Sequence, residues 1–362
     1  MLDGNADTHT SLGEDGGESF RRLAENRFAL FRGPALATHR LERDRREVAI
    51  IANAELSIND DDPVRRRRRG LQTLFQIIGI VLLFAMVFGS FIISGGKIAV
   101  VLEALPHEMM AIGGAGAAAF LISNSMTTIK ATGGGLAKAF KGPKWKAQDY
   151  KDLLSLLFLL TKTMKSKGVI ALESHIERPA ESTIFSRYPN LMKDHFAIDF
   201  ICDTLRMMTM NLEDPHQVED AMEKQLEKHH HEALAPSHAL SSLADALPAL
   251  GIVAAVLGVI KTMGAITEPP EILGMMIGGA LVGTFLGVFL AYGMVGPMAA
   301  RLKDVTDEEG SFYRIIQSVL VAHLHGNAAQ ISVEIGRGSV PSPSQPSFLE
   351  LEETLGAIPA EG

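Results

Sequence analysis

The chain between Ile272 and Ala300 reads ILGMMIGGALVGTFLGVFLAYGMVGPMAA, 29 residues without an Asp, Glu, Lys or Arg. About 20 apolar residues in a row are enough for a helix to cross the hydrocarbon core of a bilayer. A buried helix of a water-exposed protein remains the alternative for any single stretch of this kind. The other uncharged stretches of the chain therefore decide between the two.

Three further stretches have the same character. Residues 70–96 are uncharged and include LFQIIGIVLLFAMVFGSFII, and residues 109–129 are uncharged and rich in Gly and Ala. Residues 246–266 carry only Lys261, whose long side chain can reach the lipid headgroups. Four such stretches predict an all-α membrane protein with four transmembrane helices, within residues 71–129 and 246–300. A large cytoplasmic helical domain is expected between spans 2 and 3.

The flanks of the spans predict the orientation. Basic residues precede span 1 and follow spans 2 and 4, whereas the connections between spans 1 and 2 and between spans 3 and 4 are short and slightly acidic. Lys and Arg accumulate on the cytoplasmic side of membrane proteins. We therefore expect a multi-pass protein of the cell inner membrane with both termini in the cytoplasm. The basic residues are Arg65 to Arg69, then Lys130, Lys138, Lys141, Lys144 and Lys146, then Arg301 and Lys303.

Outside the spans the sequence predicts three cytoplasmic parts. Residues 1–70 are rich in charge and lack a long apolar face, which predicts a disordered or loosely helical extension. Residues 130–245 form the helical domain, with one helix at 149–167 ending before Gly168 and another from Asp214-Pro215 to Glu232. Residues 301–362 form a C-terminal helix and a tail, mobile after Gly336 with one short helix.

Composition excludes several classes of protein. The single Cys202 is incompatible with a disulfide-stapled secreted domain, and the net charge of −8 argues against a nucleic-acid partner. Consecutive histidines at 229–231 point about 100° apart on a helix, so they cannot converge on one metal ion. We find no catalytic set of nucleophile and base, and therefore expect no enzymatic activity, no cofactor and no metal.

Polar and small residues in the spans suggest how they work. The predicted spans have no carboxylate near their middle, and Thr284 is the most conspicuous polar residue, so an ion-binding acid must come from a partner. Gly279, Gly283 and Gly287 recur every four residues, which favours a packed helix interface within a subunit or between copies. Pro248 and Pro297, near the cytoplasmic ends of spans 3 and 4, should break or kink their helices, either as static architecture or as a hinge.

Several blocks between residues 74 and 357 resemble the MotA family of flagellar motor stator proteins in order and spacing. They are FGSFIISGG, IGGAGAAAFLISNS, LESHIERPAESTIFSRYP, LPALGIVAAVLGVIKTMG, LVGTFLGVFLAYGMVGP and PSFLELEE. The first 73 residues have no counterpart in the resemblance. Since Leu74 stands where relatives often begin with methionine, one hypothesis is that translation starts there.

The resemblance implies a homo-oligomeric ring, expected to be a pentamer, around a MotB-like dimer whose transmembrane aspartate carries the ion. Ion flow would turn the ring against the flagellar rotor switch protein. By the same resemblance, Pro248 and Pro297 couple ion binding to cytoplasmic motion, and Thr284 faces the partner's aspartate. Ala255 matches a position where sodium-driven relatives carry threonine. A methyl group offers no oxygen to replace the hydration of sodium, so Ala255 favours protons.

The resemblance also implies two charges that meet the rotor. The acidic one is Glu173, and the basic one is Lys165, with Lys167 close by. A lysine keeps the charge of the family's arginine but not its planar fork. Without the resemblance, these lysines could simply complement the C-terminus of a helix.

Two alternatives to a proton-driven stator stay open. An energiser of the ExbB/TolQ type works by a related mechanism on outer-membrane processes, but it usually has three spans and an external N-terminus. A membrane scaffold without conduction would use its glycine faces only for assembly.

Overall fold

The computed structural model describes residues 63–210 and 214–358, and their side chains from residue 74 onward. Most of the predicted extension 1–70 therefore lies outside the described residues. In chain order the α-helices are α1 (Pro63–Ile93), α2 (Ile98–Glu108), α3 (Gly114–Ser123), α4 (Met126–Lys141), α5 (Ala147–Lys167), α6 (Glu173–Glu177), α7 (His195–Thr209), α8 (Pro215–Gly264), α9 (Pro270–Leu290), α10 (Gly296–Leu324), α11 (Ala329–Gly338) and α12 (Phe348–Gly356).

Four helical stretches are long and apolar enough to cross a membrane, as predicted. The first is the apolar part of α1, and the second joins α2 and α3 through a π-helical turn at Met109–Gly113. The third belongs to α8, and the fourth to α9 and α10, which a second π-helical turn at Ala291–Val295 connects. The prediction of an all-helical chain with four long apolar helices is confirmed.

Spans 3 and 4 continue as helices beyond the apolar stretches. The Asp214 side chain accepts a hydrogen bond from the backbone N–H of His216, and Pro215 occupies the first turn, as the sequence predicts. However, the helix does not end near Glu232. It continues for 50 residues from Pro215 to Gly264 and accommodates Pro236 and Pro248 in its interior. The prediction of two separate elements is wrong.

Helix α5 closely matches the predicted helix 149–167. Its leucines at positions 153, 156, 157 and 160 are fully buried. The helix ends at Gly168, whose φ of +82° lies in a region that other residues adopt only under strain. Around α5 lies a single apolar core that also contains residues of α7, the first half of α8, and α10 to α12.

The segment after Gly336, which the sequence predicts to be mobile, packs into that core. Ser347 and Glu350 form a capping box that begins α12, and Leu351 and Leu355 of this helix are buried. Burial of a leucine side chain stabilises by roughly 1.5–3 kcal/mol, enough to hold a short helix against the domain. The Ser/Pro-rich stretch is thus a connection between two ordered helices.

Candidate functional site

The crossing of α8 and α9 brings the predicted ion-pathway residues together. A Cβ atom on Gly258 would lie 2.7 Å from the Cβ of Ala280, so the two backbones are nearly in contact. A Cβ atom on Gly283 would lie 3.3 Å from the backbone nitrogen of Ala255. Ala255 therefore lies opposite the residue that precedes Thr284, and both Ala255 and Thr284 are half-buried.

The glycines of α9 face different neighbours inside the same subunit. A Cβ on Gly279 would lie 3.7 Å from the Cβ of Ala104 in α2. Gly287 faces α8, and a Cβ on it would lie 2.6 Å from the backbone oxygen of Leu247. The small side chains of α9 thus lie at close contacts with both α2 and α8.

Glu108 directly precedes the uncharged stretch 109–129 and belongs to the same continuous helical stretch. The second helical stretch of membrane-crossing length runs from Ile98 to Ser123, and Glu108 is its eleventh residue. Its Oε2 atom is buried and has no hydrogen-bond partner among the described residues. A Cβ atom on Gly283 would lie 2.5 Å from this oxygen. The helix extends N-terminal to the uncharged stretch through IAVVLEALPHE, which contains both Glu103 and Glu108.

Neither of the two predicted coupling prolines ends its helix. Pro248 lies inside α8, which remains α-helical on both sides of it. Pro297 lies in the first turn of α10, directly after the π-helical turn at Ala291–Val295. Because proline has no N–H, each one leaves a carbonyl of the preceding turn without its usual donor. Of the two predicted effects, a break is therefore not seen at either proline, and a kink or hinge stays a prediction.

The two charges predicted to meet the rotor lie on either side of the turn at Gly168. Glu173 is the exposed first residue of α6. Lys165 lies in the last turn of α5, where its Nζ donates a hydrogen bond of 3.3 Å to the backbone oxygen of Gly326. Burial, and secondarily the nearby Lys165 charge, lower the pKa of His323. Lys165 therefore has a structural contact besides any role at the surface.

A cluster around the buried Asp194 joins the segment between spans 2 and 3 to the helix that follows span 4. Asp194 Oδ2 accepts hydrogen bonds from Lys144 Nζ at 2.7 Å and from the Tyr313 hydroxyl at 3.1 Å, while its Oδ1 accepts one from the Ala197 N–H. Burial disfavours the charged carboxylate, but these bonds together hold the pKa of Asp194 below its ordinary value. Trp145 stacks on Phe312 with ring centres 3.8 Å apart.

Histidines 229–231 form no metal site with their neighbours. The His229 ring stacks on Phe196 with centroids 3.6 Å apart, and His230 Nε2 lies 3.2 Å from an oxygen of Asp307. Burial is the main cause that lowers the pKa of His229. Within the described residues there is no group of three or more His, Cys, Asp or Glu side chains that could hold a metal ion.

Comparison with known proteins identifies two family models along the chain. The model of the motility protein A N-terminal region matches residues 77–168, and that of the MotA/TolQ/ExbB proton channel family matches residues 193–314. Motility protein A of Salmonella typhimurium and of Escherichia coli are each 37% identical over 282 residues, which cover 78% of this chain and 95% of each relative. Chemotaxis protein LafT of Vibrio parahaemolyticus is 33% identical over 280 residues, covering 77% of this chain and 98% of LafT.

Two solved structures share the fold. MotAB of C. jejuni aligns with a TM-score of 0.58 and 19% identity, over 76% of this chain and 99% of that chain. The flagellar MotAB stator complex of Bacillus subtilis aligns with a TM-score of 0.57 and 21% identity, over 75% and 97%. These likenesses concern the arrangement of the helices.

Proposed function

Because this chain belongs to the MotA family, within the MotA/TolQ/ExbB proton channels, we propose that it is a stator subunit of the flagellar motor. With a MotB-like partner it forms a proton channel and converts proton flow into torque. It is a multi-pass membrane protein and not an enzyme, as the sequence predicted. The observation that carries the mechanism is the unbroken course of α8 from the helical domain to the level of Ala255 and Thr284.

The placement of the domains and termini belongs to the same proposal. Residues of α5 and α7, which lie between spans 2 and 3, share one apolar core with residues of α10 to α12, which follow span 4. This shared core supports placing both segments on one side of the membrane, and the lysines after span 2 favour the cytoplasmic side. We accordingly propose that the protein lies in the inner membrane of the cell. Both of its termini are then in the cytoplasm.

The partner supplies the acid that carries the ion. The MotB-like subunit's aspartate faces Thr284, whose hydroxyl can accept or donate a hydrogen bond as the acid changes its protonation state. Ala255 presents a methyl group on the same level, which offers no oxygen to replace the hydration of sodium. This arrangement favours protons.

Several copies of the chain form a ring around the partner, and we propose five. The spans carry many exposed apolar residues, which such an assembly and the bilayer would cover. Motion at the crossing of α8 and α9 is passed through helices to the domain, with Pro248 and Pro297 as the flexible points. Lys165 and Glu173 then meet opposite charges on the rotor switch protein.

Deletion of the gene tests the function. We expect cells with fully assembled but paralysed flagella, and motility should return when the chain is supplied together with its MotB-like partner. Normal swimming combined with a defect in outer-membrane import or integrity would instead identify an ExbB/TolQ-type energiser. Normal swimming together with an absence of proton flux through the purified complex would support the remaining alternative, a membrane scaffold without conduction.

A further inference from the structure

The Oε2 atom of the half-buried Glu108 is buried, has no hydrogen-bond partner among the described residues, and lies at the contact between α2 and α9. Along this contact, a Cβ on Gly278 would approach Val100 Cγ1 at 3.2 Å, one on Gly279 would approach Ala104, and one on Gly283 would approach Glu108. Residues 100, 104 and 108 are one turn apart, so Glu108 belongs to the same face of α2. Its carboxyl group occupies space that is open only because residue 283 has no side chain.

Near Glu108 the only group that could carry a positive charge on its own helix is the neighbouring His107. His107 precedes it in the chain, and the apolar part of α8 and the whole of α9 carry only Lys261 and Glu271. Lys261 is six residues from Ala255, about 9 Å along the helix, and Glu271 is twelve residues from Gly283, about 18 Å. An ionised carboxylate without a partner is unfavourable in such a place, whereas the protonated acid is uncharged.

We propose that Glu108 is a proton-binding site of this chain, beside the crossing that holds Ala255 and Thr284. A carboxylate oxygen of Glu108 forms an O–H bond with a proton from a hydronium ion, which leaves as water, and the reverse step returns the proton to water in the pathway. The site adds a second acid to the one that the partner brings. Its role in flux rests on the proposed function, but its ability to bind a proton does not.

Chemical labelling of the unmodified complex tests the site without any variant. Dicyclohexylcarbodiimide is apolar and reacts with protonated carboxyl groups, and mass spectrometry locates the product. In the purified complex of this chain with its MotB-like partner, we expect labelling at Glu108 that declines as the pH is raised. Glu103 lies on the same helix but is exposed, so it serves as the internal control. No label at Glu108 while the partner's acid is labelled overturns the proposal.

Proton flux in vesicles provides the second test, with Glu108→Gln and the matched control Glu103→Gln. Glutamine keeps the shape of the side chain but cannot exchange a proton. We expect Glu108→Gln to lower flux by about tenfold or more, as when a proton-transfer group is removed, and Glu103→Gln to leave it unchanged. Glu108→Asp, which keeps the acid, should restore part of the flux. If Glu108→Gln conducts like the unmodified complex, the site has no part in conduction and the proposal fails.

The two proposals fail in different ways. If gene deletion does not affect motility but Glu108 is labelled in a pH-dependent manner, the stator function is wrong and the proton-binding site stands. If deletion paralyses the flagella but Glu108 is neither labelled nor needed for flux, the stator function stands and the inference about Glu108 is wrong. Should Glu108→Gln fail to assemble, the labelling of the unmodified complex alone decides.

Discussion

Gly251 of α8 and Gly287 of α9 lie so close that a Cβ atom on Gly287 would be 2.9 Å from the Cα of Gly251. The reverse also holds, since a Cβ on Gly251 would be 3.1 Å from the Cα of Gly287. Backbone atoms cannot move aside as a flexible side chain can. The spans that contain Ala255 and Thr284 can therefore approach this closely only because both helices have glycine at the contact.

Replacing Gly287 by alanine should force α8 and α9 apart, because the new methyl group meets the backbone oxygen of Leu247 and the Cα of Gly251. We expect a loss of stability of about 1–3 kcal/mol, as for other overpacked sites. The measurement is the thermal unfolding of the detergent-purified complex. Gly274→Ala is the matched control on the same helix, because a Cβ there has nothing within 4 Å. Equal stability of the two variants would contradict the close approach.

Replacing Pro248 by alanine should impair torque without preventing assembly. The change restores an N–H that can bond to the carbonyl of Ala244, so α8 becomes stiffer next to the crossing. We expect slower swimming at an unchanged amount of complex in the membrane. Pro236→Ala is the control, because Pro236 also lies within α8 but away from the crossing. If cells with Pro248→Ala swim as fast as cells with Pro236→Ala, Pro248 has no part in producing torque.

Reversing both predicted rotor-facing charges, Lys165→Glu with Glu173→Lys, should reduce swimming more than either change alone. Exposed charge contacts contribute roughly 0.2–1 kcal/mol each, so single reversals should only lower the torque. Reversed charges on the rotor switch protein should partly restore it. The exposed Glu181→Lys is the control in the same segment.

Protein levels must accompany this measurement, because Lys165 also bonds to the backbone of Gly326. If the double-variant protein does not accumulate in the cell, the charge of Lys165 is needed for folding and not for contact with the rotor. Normal swimming of the double variant at several ionic strengths would also refute the assignment to the rotor.

Replacing Asp194 by asparagine should destabilise the helical domain at neutral pH. The pKa of Asp194 is lower in the folded protein than in the unfolded chain, so ionisation stabilises the fold above the ordinary value near 3.8. That contribution disappears as the pH falls through the folded pKa. We therefore expect a loss of about 1–3 kcal/mol at pH 7 that becomes smaller toward pH 3. A difference that does not change with pH would mean that charge plays no part.

The sequence by itself determined the number of spans, the start of α8 and the family. Four almost uncharged runs of about 20 residues each have the length and composition of helices that cross a bilayer, and Asp214 caps a helix by a local hydrogen bond. Such properties depend on neighbours in the chain and can be read from it. The same holds for the end of α5 at Gly168, where a positive φ favours glycine.

The tertiary structure alone decided which residues meet. Nothing in the sequence places Glu108 against Gly283, because the contact joins helices far apart in the chain and exists only where glycine leaves room for a carboxyl group. Asp194 likewise gains its partners Lys144 and Tyr313 from distant segments. The tail after Gly336 looked mobile because its few apolar residues, among them Leu351 and Leu355, are too sparse to predict burial. They become ordered because α5 and α10 provide a core for them to join.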